Sequence, residues 1–250
     1  MTGKPFERKY TVHYYETGID GKLRVDSLMH YFEELALLQS EAMGVGLEYY
    51  RRHGLIWLLH RFDIRLHRLP GFGQKVVVKT LPSSVYRYLG FRKFSVHAPD
   101  GGLMAEADSA WLFVDTARKR PVRVNNDMKN AYGYSGLAGE KLHMDDIPAV
   151  EGPLGVKQFR VRTADIDINR HVNNVVYVQW AMEAIPARLH ENCRLQRIRI
   201  AWLKETLAGG RVRVLTRLSG QGPGVDCLQS VRGGDGQEKC RILSRWVPQA

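Results

Sequence analysis

Four polar residues have the types and spacing to do chemistry. Asp167, Asn169 and His171 stand two apart in "DIDINRHVNNVVYVQW" (Asp165–Trp180), and Glu205 lies in "WLKETLAGG". The set suits acyl transfer to water, which needs a general base, a group that orients base or water, and donors aimed at the developing oxyanion. His171 and Glu205 are the candidate bases, and the residues leave the choice between them open. Asn169 can position a water or the reacting carbonyl, and Asp167 can fix the tautomer or position of its neighbours. An apolar helical pattern begins directly after His171. The free N–H groups around His171 to Asn174 are therefore expected to present the positive end of a helix to that carbonyl. Singly, each residue has an ordinary reading: Asn169 as a turn residue, His171 as a hydrogen-bonded surface or core histidine, Asp167 as a favourable charge near a helix start, Glu205 as a solvated carboxylate. One histidine among carboxylates is a poor zinc set, so no metal or cofactor is expected. The absence of a Gly-x-Ser-x-Gly elbow, a Walker A loop and a GxGxxG stretch argues against serine-hydrolase and nucleotide-driven chemistry.

The elements that must position these residues come in two copies. "IRLHRLPGFGQKVVVKT" (Ile64–Thr80) lies over "IAWLKETLAGGRVRVLT" (Ile200–Thr216) without a gap, matching Gly73 with Gly209, Val76 with Val212 and Thr80 with Thr216. Both read as strand, glycine-containing turn, strand. Upstream of the first is "VDSLMHYFEELALLQSEAMG", where Leu28, Phe32, Leu35, Gln39 and Met43 follow helical spacing. Asp26 or Ser27 is its expected N-cap and Gly44 its C-terminal stop. Upstream of the second, Val172, Val175, Val178, Met182 and Ile185 share a face until Pro186. Each half is thus a lead-in strand, one long apolar helix and several strands. This is an α+β fold, a tandem double hot-dog with two antiparallel sheets each wrapped around a long central helix. The expected division is an N-terminal hot-dog domain over 1–134, a Gly-, Pro- and acid-rich linker over 135–156 and a C-terminal hot-dog domain over 157–250.

The duplication offers an internal control. Aligning Tyr31 with Tyr177 sets Val25 against His171, Leu23 against Asn169 and Gly21 against Asp167, while the strand alignment sets Leu69 against Glu205. On that alignment the polar set belongs to the second half alone, and "GKLRVDS" starts the first helix without it.

Bulk composition fits a well-buried globular chain of 250 residues, 44% hydrophobic and 25% charged. No apolar run approaches the roughly 20 residues a bilayer-spanning helix needs. The start, "MTGKPFERKYTVHYYE", has no secretory h-region. Three cysteines, Cys193, Cys227 and Cys240, form neither a CxxC pair nor an even set. A cytoplasmic protein without membrane insertion is expected. The 37 basic residues against 26 acidic leave a net charge of +11. They are scattered in pairs such as "YYRRHG" and "KCRILSR", without a basic tail. A stacking platform for nucleic acid is a poor fit, since an amphipathic strand explains "VYRYLGFRKF" better.

"DIDINRHVNNVVYVQW" closely resembles the Asp-x-Asn-x-His-Val-Asn-Asn-x-x-Tyr-x-x-Trp signature of the acyl-acyl carrier protein (acyl-ACP) thioesterases of plants and bacteria. "PGFGQKVVVKT" resembles that family's Pro-x-Trp-Gly-x-x-Val-x-Val-x-Thr segment, with Phe72 for the Trp. "WLFVDTARKRPVRV" resembles its mid-chain Trp strand and basic turn. The resemblance implies hydrolysis of fatty acyl-ACP, with Asp167, Asn169, His171 and Glu205 catalytic. Thr206 stands at the cysteine position of the plant enzymes, so a cysteine nucleophile is impossible there, and direct attack by water is expected. The resemblance further implies that the N-terminal domain holds the acyl chain, with Met29, Phe32, Leu35 and Trp57 as tunnel candidates. The implied partner is acidic acyl carrier protein bearing a phosphopantetheine-linked chain, which a basic protein would attract. A homodimer is the family tendency. The alternatives are a hot-dog thioesterase acting on acyl-CoA and a non-catalytic acyl-binding module.

Overall fold

The computed structural model describes residues 4–134, 142–220 and 223–249. Along the chain come β1 (Phe6–Thr11), α1 (Val25–Ala42), α2 (Leu47–His53), β2 (Leu55–Leu66), β3 (Lys75–Tyr86), β4 (Leu89–His97), β5 (Leu103–Asp115), the short β6 (Arg120–Pro121) and α3 (Asn126–Ala131). Then follow β7 (Gly155–Arg160), α4 (Asn174–Glu183), α5 (Ala187–Asn192), β8 (Cys193–Trp202), β9 (Arg211–Ser219), β10 (Val225–Gly233) and β11 (Glu238–Pro248). The chain divides into two units, Met1–His60 with Leu66–Met144, and Arg61–Arg65 with Asp145–Ala250.

In the first unit the sheet order is β1-β3-β4-β5-β2. Buried positions alternate along β3, as the period of two in a half-buried strand requires (Val76, Val78, Thr80). The helix α1 lies against β1 and β3. Leu28, Met29, Phe32 and Leu35 are fully buried on it, and Phe32 stacks on Phe94 with ring centroids 4.8 Å apart. In the second unit Arg61–Arg65 pairs with β8, and the order continues β8-β11-β10-β9-β7. There α4 lies against β10 and β11, burying Val175, Tyr177, Val178 and Trp180. Each unit is a run of antiparallel strands carrying one principal helix, the α+β hot-dog plan expected from the sequence. No helix of the described residues is long and apolar enough to cross a membrane.

The hairpin repeat holds in register. Gly73 and Gly209 both occupy the left-handed region, φ 75° and 76°, where a side chain would be strained. The helix alignment does not hold. Gly18 N–H donates to Lys22 O, Gly21 N–H to Gly18 O and Arg24 N–H to Glu16 O. The same three bonds recur as Asp167 to His171, Arg170 to Asp167 and Asn173 to Asp165. The counterparts of Asp167, Asn169 and His171 are therefore Gly18, Asp20 and Lys22, one helical turn away from the alignment on the two tyrosines. A shift of three residues keeps an apolar stripe nearly in place, so periodicity alone does not detect it. The first unit is thus not bare of polar groups here. What it lacks is the imidazole and the two carboxylates, with Gly18 for Asp167 and Leu69 for Glu205.

The first helix also starts earlier than expected. Its N-cap is Arg24, and Asp26 and Ser27 lie buried inside the first turn. Gly44, with φ 72°, follows the last turn as expected. The helices α2, α3 and α5 have no counterpart in the sequence reading. Of the expected linker, residues 135–141 lie outside the described residues. Ile147 and Val150 pack with Ala201 and Leu228, and Arg241 holds the Ile147 carbonyl at 2.7 Å.

Candidate active site

The loop that precedes α4 is built from its own backbone. Asp165, 1% exposed, receives the Arg162 N–H at 2.8 Å and its guanidinium at 2.6 and 2.9 Å. Its carbonyl accepts from Asn173 N–H, which closes the loop. Between them Ile166 and Val172 form an isolated bridge, and the chain reverses through Arg170. Arg170 has φ 65°, the left-handed conformation that Gly21 takes in the sister loop. A non-glycine residue pays roughly 1–2 kcal/mol to sit there.

That reversal sorts the four polar residues into two pairs. The Asp167 carboxylate accepts the Asn169 backbone N–H at 2.8 Å and its side-chain amide at 3.3 Å. His171 Nε2 lies 3.0 Å from Glu205 Oε2, with side chains 32% and 51% exposed, so water reaches both. The pairs are joined by Asp167 N–H donating to His171 O at 2.9 Å. Glu205 is brought in by its neighbour, because Val172 N–H donates to Thr206 O at 3.0 Å. Asn169 is exposed and turned to Asp167 rather than to the imidazole.

The helix end is narrower than the sequence implied. Asn173 caps α4 by accepting Val175 N–H on its side chain and Val176 N–H on its carbonyl. With the Val172 N–H bonded to Thr206 O and the Asn173 N–H to Asp165 O, the Asn174 N–H is the first helical donor without an acceptor among the described residues. Two N–H groups, those of His171 and Asn174, are left without an acceptor among the described residues and are available to a carbonyl.

Tyr177 is a neighbour to which the sequence analysis gave no role beyond aligning the two helices. It is 2% exposed, and burial pushes its phenol up to about 12. It stays protonated at neutral pH, beside Thr206 and within reach of the Glu205 charge. The Thr206 hydroxyl is buried there and meets hydrogen-bond geometry with no group among the described residues. A polar tip on a buried helical face was the available signal. The tunnel candidates fall in the first unit. Met29, Phe32 and Leu35 are fully covered by protein atoms, whereas Trp57 is partly exposed and packs on Phe113 at 4.7 Å.

Residues 3–132 match the model of the acyl-ACP thioesterase N-terminal domain, and residues 153–248 match that of the C-terminal domain. The chain belongs to the acyl-ACP thioesterase family. Among curated relatives of this thioesterase, oleoyl-acyl carrier protein thioesterase 1, chloroplastic, of Arabidopsis thaliana is 25% identical, with 98% of this chain and 76% of that protein covered. Palmitoyl-acyl carrier protein thioesterase, chloroplastic, of Cuphea hookeriana is 25% identical over 99% of this chain, which spans 63% of that relative's length. The fold of the thioesterase is that of a putative oleoyl thioesterase from Lactobacillus plantarum, with TM-score 0.94, 22% identity and 99% and 98% of the two chains covered. It is also that of the 12:0-ACP thioesterase from Umbellularia californica, with TM-score 0.88, 21% identity and 98% and 94% covered.

Proposed function

We propose that this thioesterase hydrolyses the thioester of fatty acyl-ACP, releasing free fatty acid and ending chain elongation. The observation that carries the reading is the His171–Glu205 contact at 3.0 Å between two solvent-accessible loops, in a chain matched by both halves of the family. Glu205 favours the tautomer with the proton on Nε2, which leaves His171 Nδ1 to take a proton from the attacking water. The Asn174 N–H and the exposed Asn169 amide are the donors assigned to the carbonyl oxygen and the water. Asp167 holds Asn169 in place. Thr206 is assigned no covalent role, because its buried hydroxyl is hydrogen-bonded to no base among the described residues.

Thr206→Ala is accordingly expected to keep most of the hydrolytic activity, read as fatty acid release per active site. An acyl group trapped on Thr206 would refute direct attack by water.

The domain assignment is likewise our reading. The N-terminal domain, 1–134, holds the alkyl chain, with Met29, Phe32, Leu35 and Trp57 as the residues whose trimming shifts chain length. The C-terminal domain, 157–250, carries the reaction, and 135–156 connects them. The acyl group arrives on the phosphopantetheine arm of an acidic carrier protein. The net charge of +11 speeds that encounter. The ratio kcat/KM on carrier-protein substrate should therefore fall as salt approaches about 1 M, where the screening length shrinks to about 3 Å. A salt-independent ratio would remove steering from the account. Three free cysteines, two of them buried, fit a reducing cytoplasmic compartment. A homodimer is checked by light scattering.

The deciding assay compares acyl-ACP with matched acyl-CoA of the same chain, with Glu205→Gln alongside. Preference for the carrier protein and collapse in the variant are expected. Preference for CoA would move the substrate, and binding of acyl chains without turnover would leave an acyl-binding module.

A further inference from the structure

The first unit buries a guanidinium that the reaction does not use. Arg92 on β4 is 8% exposed. Its Nη1 donates to Gln39 Oε1 and, at 3.0 Å, to Thr80 Oγ1. The guanidinium sits 5.6 Å from the centre of the Tyr132 ring, with Tyr134 and Tyr50 as further neighbours. Burial lowers its pKa, yet an arginine remains a cation. Among the described residues no Asp or Glu pairs with it. A buried charge among neutral groups is costly, and such charges are found paired with an opposite charge or a ligand.

The hydrogen bonds around it leave donors over. Ser40 Oγ lies 2.9 Å from Ala36 O and 2.7 Å from the Tyr132 hydroxyl, and Tyr50 joins the same group of hydroxyls. Tyr132 already has hydrogen-bond partners in Ser40, Tyr50 and Arg92. Tyr134, 5% exposed, has a buried hydroxyl without any partner. On Arg92, the Nε–H and the Nη2 pair have no acceptor among the described residues beyond the Tyr132 phenol. That edge of a guanidinium matches a carboxylate, two N–H groups to two oxygens. The surroundings are apolar. Tyr132 and Tyr134 share one cluster with Val85, Phe113 and Met128, and Trp57 packs against it with its indole N–H also unpartnered.

The sister unit shows that the scaffold does not need a cation here. Thr216, the counterpart of Thr80, receives a proton from the neutral Gln229 at 3.3 Å. The same amide bonds the α4 carbonyl of Ala181 at 2.8 Å. A glutamine thus ties strand to helix in one unit where Arg92 does so in the other.

We propose that Arg92 and Tyr134 form a recognition subsite inside the first unit for a carboxylate carried on an alkyl chain. This rests on the reading that the first unit holds the chain. The carboxylate has two sources, a free fatty acid or an acyl thioester whose far end is oxidised to the acid. Either would bring the charge and the acceptor oxygens that the site lacks, with the alkyl part against Trp57 and its neighbours.

The test titrates octanoate and 1-octanol calorimetrically into wild type, Arg92→Gln and Tyr134→Phe. Octanoate should bind wild type at least about tenfold more tightly than 1-octanol, a difference of the size expected of a charged hydrogen bond. The preference should vanish in Arg92→Gln and shrink in Tyr134→Phe, which breaks no hydrogen bond and serves if the first variant does not fold. Equal binding of acid and alcohol by wild type, or an unchanged preference in either folded variant, rejects the subsite while leaving the chain-holding reading intact. Binding of neither ligand rejects both. A second arm compares octanoyl-ACP with the carrier-protein thioester of octanedioic acid. Selective loss of the latter's turnover in Arg92→Gln identifies the substrate as the source, and its absence alongside octanoate binding identifies the free acid.

Discussion

His171→Ala is expected to release fatty acid at least about 100-fold more slowly than wild type, the usual scale of a general acid–base contribution. The fold should not suffer. The His171–Glu205 contact is partly exposed, and such pairs contribute about 0–1 kcal/mol to stability. Circular dichroism and melting temperature should therefore be close to wild type, which separates a lost base from a lost structure. Glu205→Gln should fall comparably, because it removes the charge that orients the imidazole while keeping the size of the side chain. If the two groups act as one unit, the double variant will lose little more than the worse single one. Near-wild-type turnover of His171→Ala in a contaminant-free preparation would retire the assignment. Multiplying losses in the double variant would instead mean that the residues act separately.

Phe32→Ala should cost about 3–5 kcal/mol of unfolding free energy, the range for deleting a buried aromatic ring. Its ring is fully buried and stacked on Phe94 at 4.8 Å, so truncation leaves a cavity and an unpartnered aromatic face. Urea unfolding reads the loss directly. The same variant probes the chain-holding role, since the emptied volume adjoins the other apolar residues of α1 and should favour longer acyl chains in a substrate panel. A loss below about 1 kcal/mol would mean that the ring faces open space rather than packed neighbours.

The parts of the fold that were legible in the sequence are those governed by local rules. The hairpins around Gly73 and Gly209 could be aligned without a gap because a left-handed turn needs glycine and a half-buried strand repeats every second residue. The helix was harder to place. Its stripe returns nearly every third residue, so Tyr31 could be set on Tyr177 although the loop bonds pair Leu28 with that tyrosine. The candidate site was legible as four residues to examine, Asp167, Asn169, His171 and Glu205, but not as a pairing. That Glu205 meets His171, and that Asn169 turns to Asp167, follows from the reversal at Arg170 and from the Val172–Thr206 bond. Neither leaves a spacing signature. Arg92 was invisible for a related reason. Gln39 is 53 positions away from it, and a basic residue inside an alternating strand reads as solvated.

The two copies differ most in their principal helices, 18 residues in α1 against 10 in α4. At the rise of an α-helix, α1 reaches roughly 12 Å farther. Under the proposed division of labour, this length difference makes selectivity and rate separately heritable. A lineage can lengthen, shorten or repack α1 and so retune which chains are released, while the two loops that bring His171 and Glu205 together keep their own hydrogen bonds. On that proposal, a substitution in α1 changes which chain is released and a substitution around His171 changes how fast, each without the other.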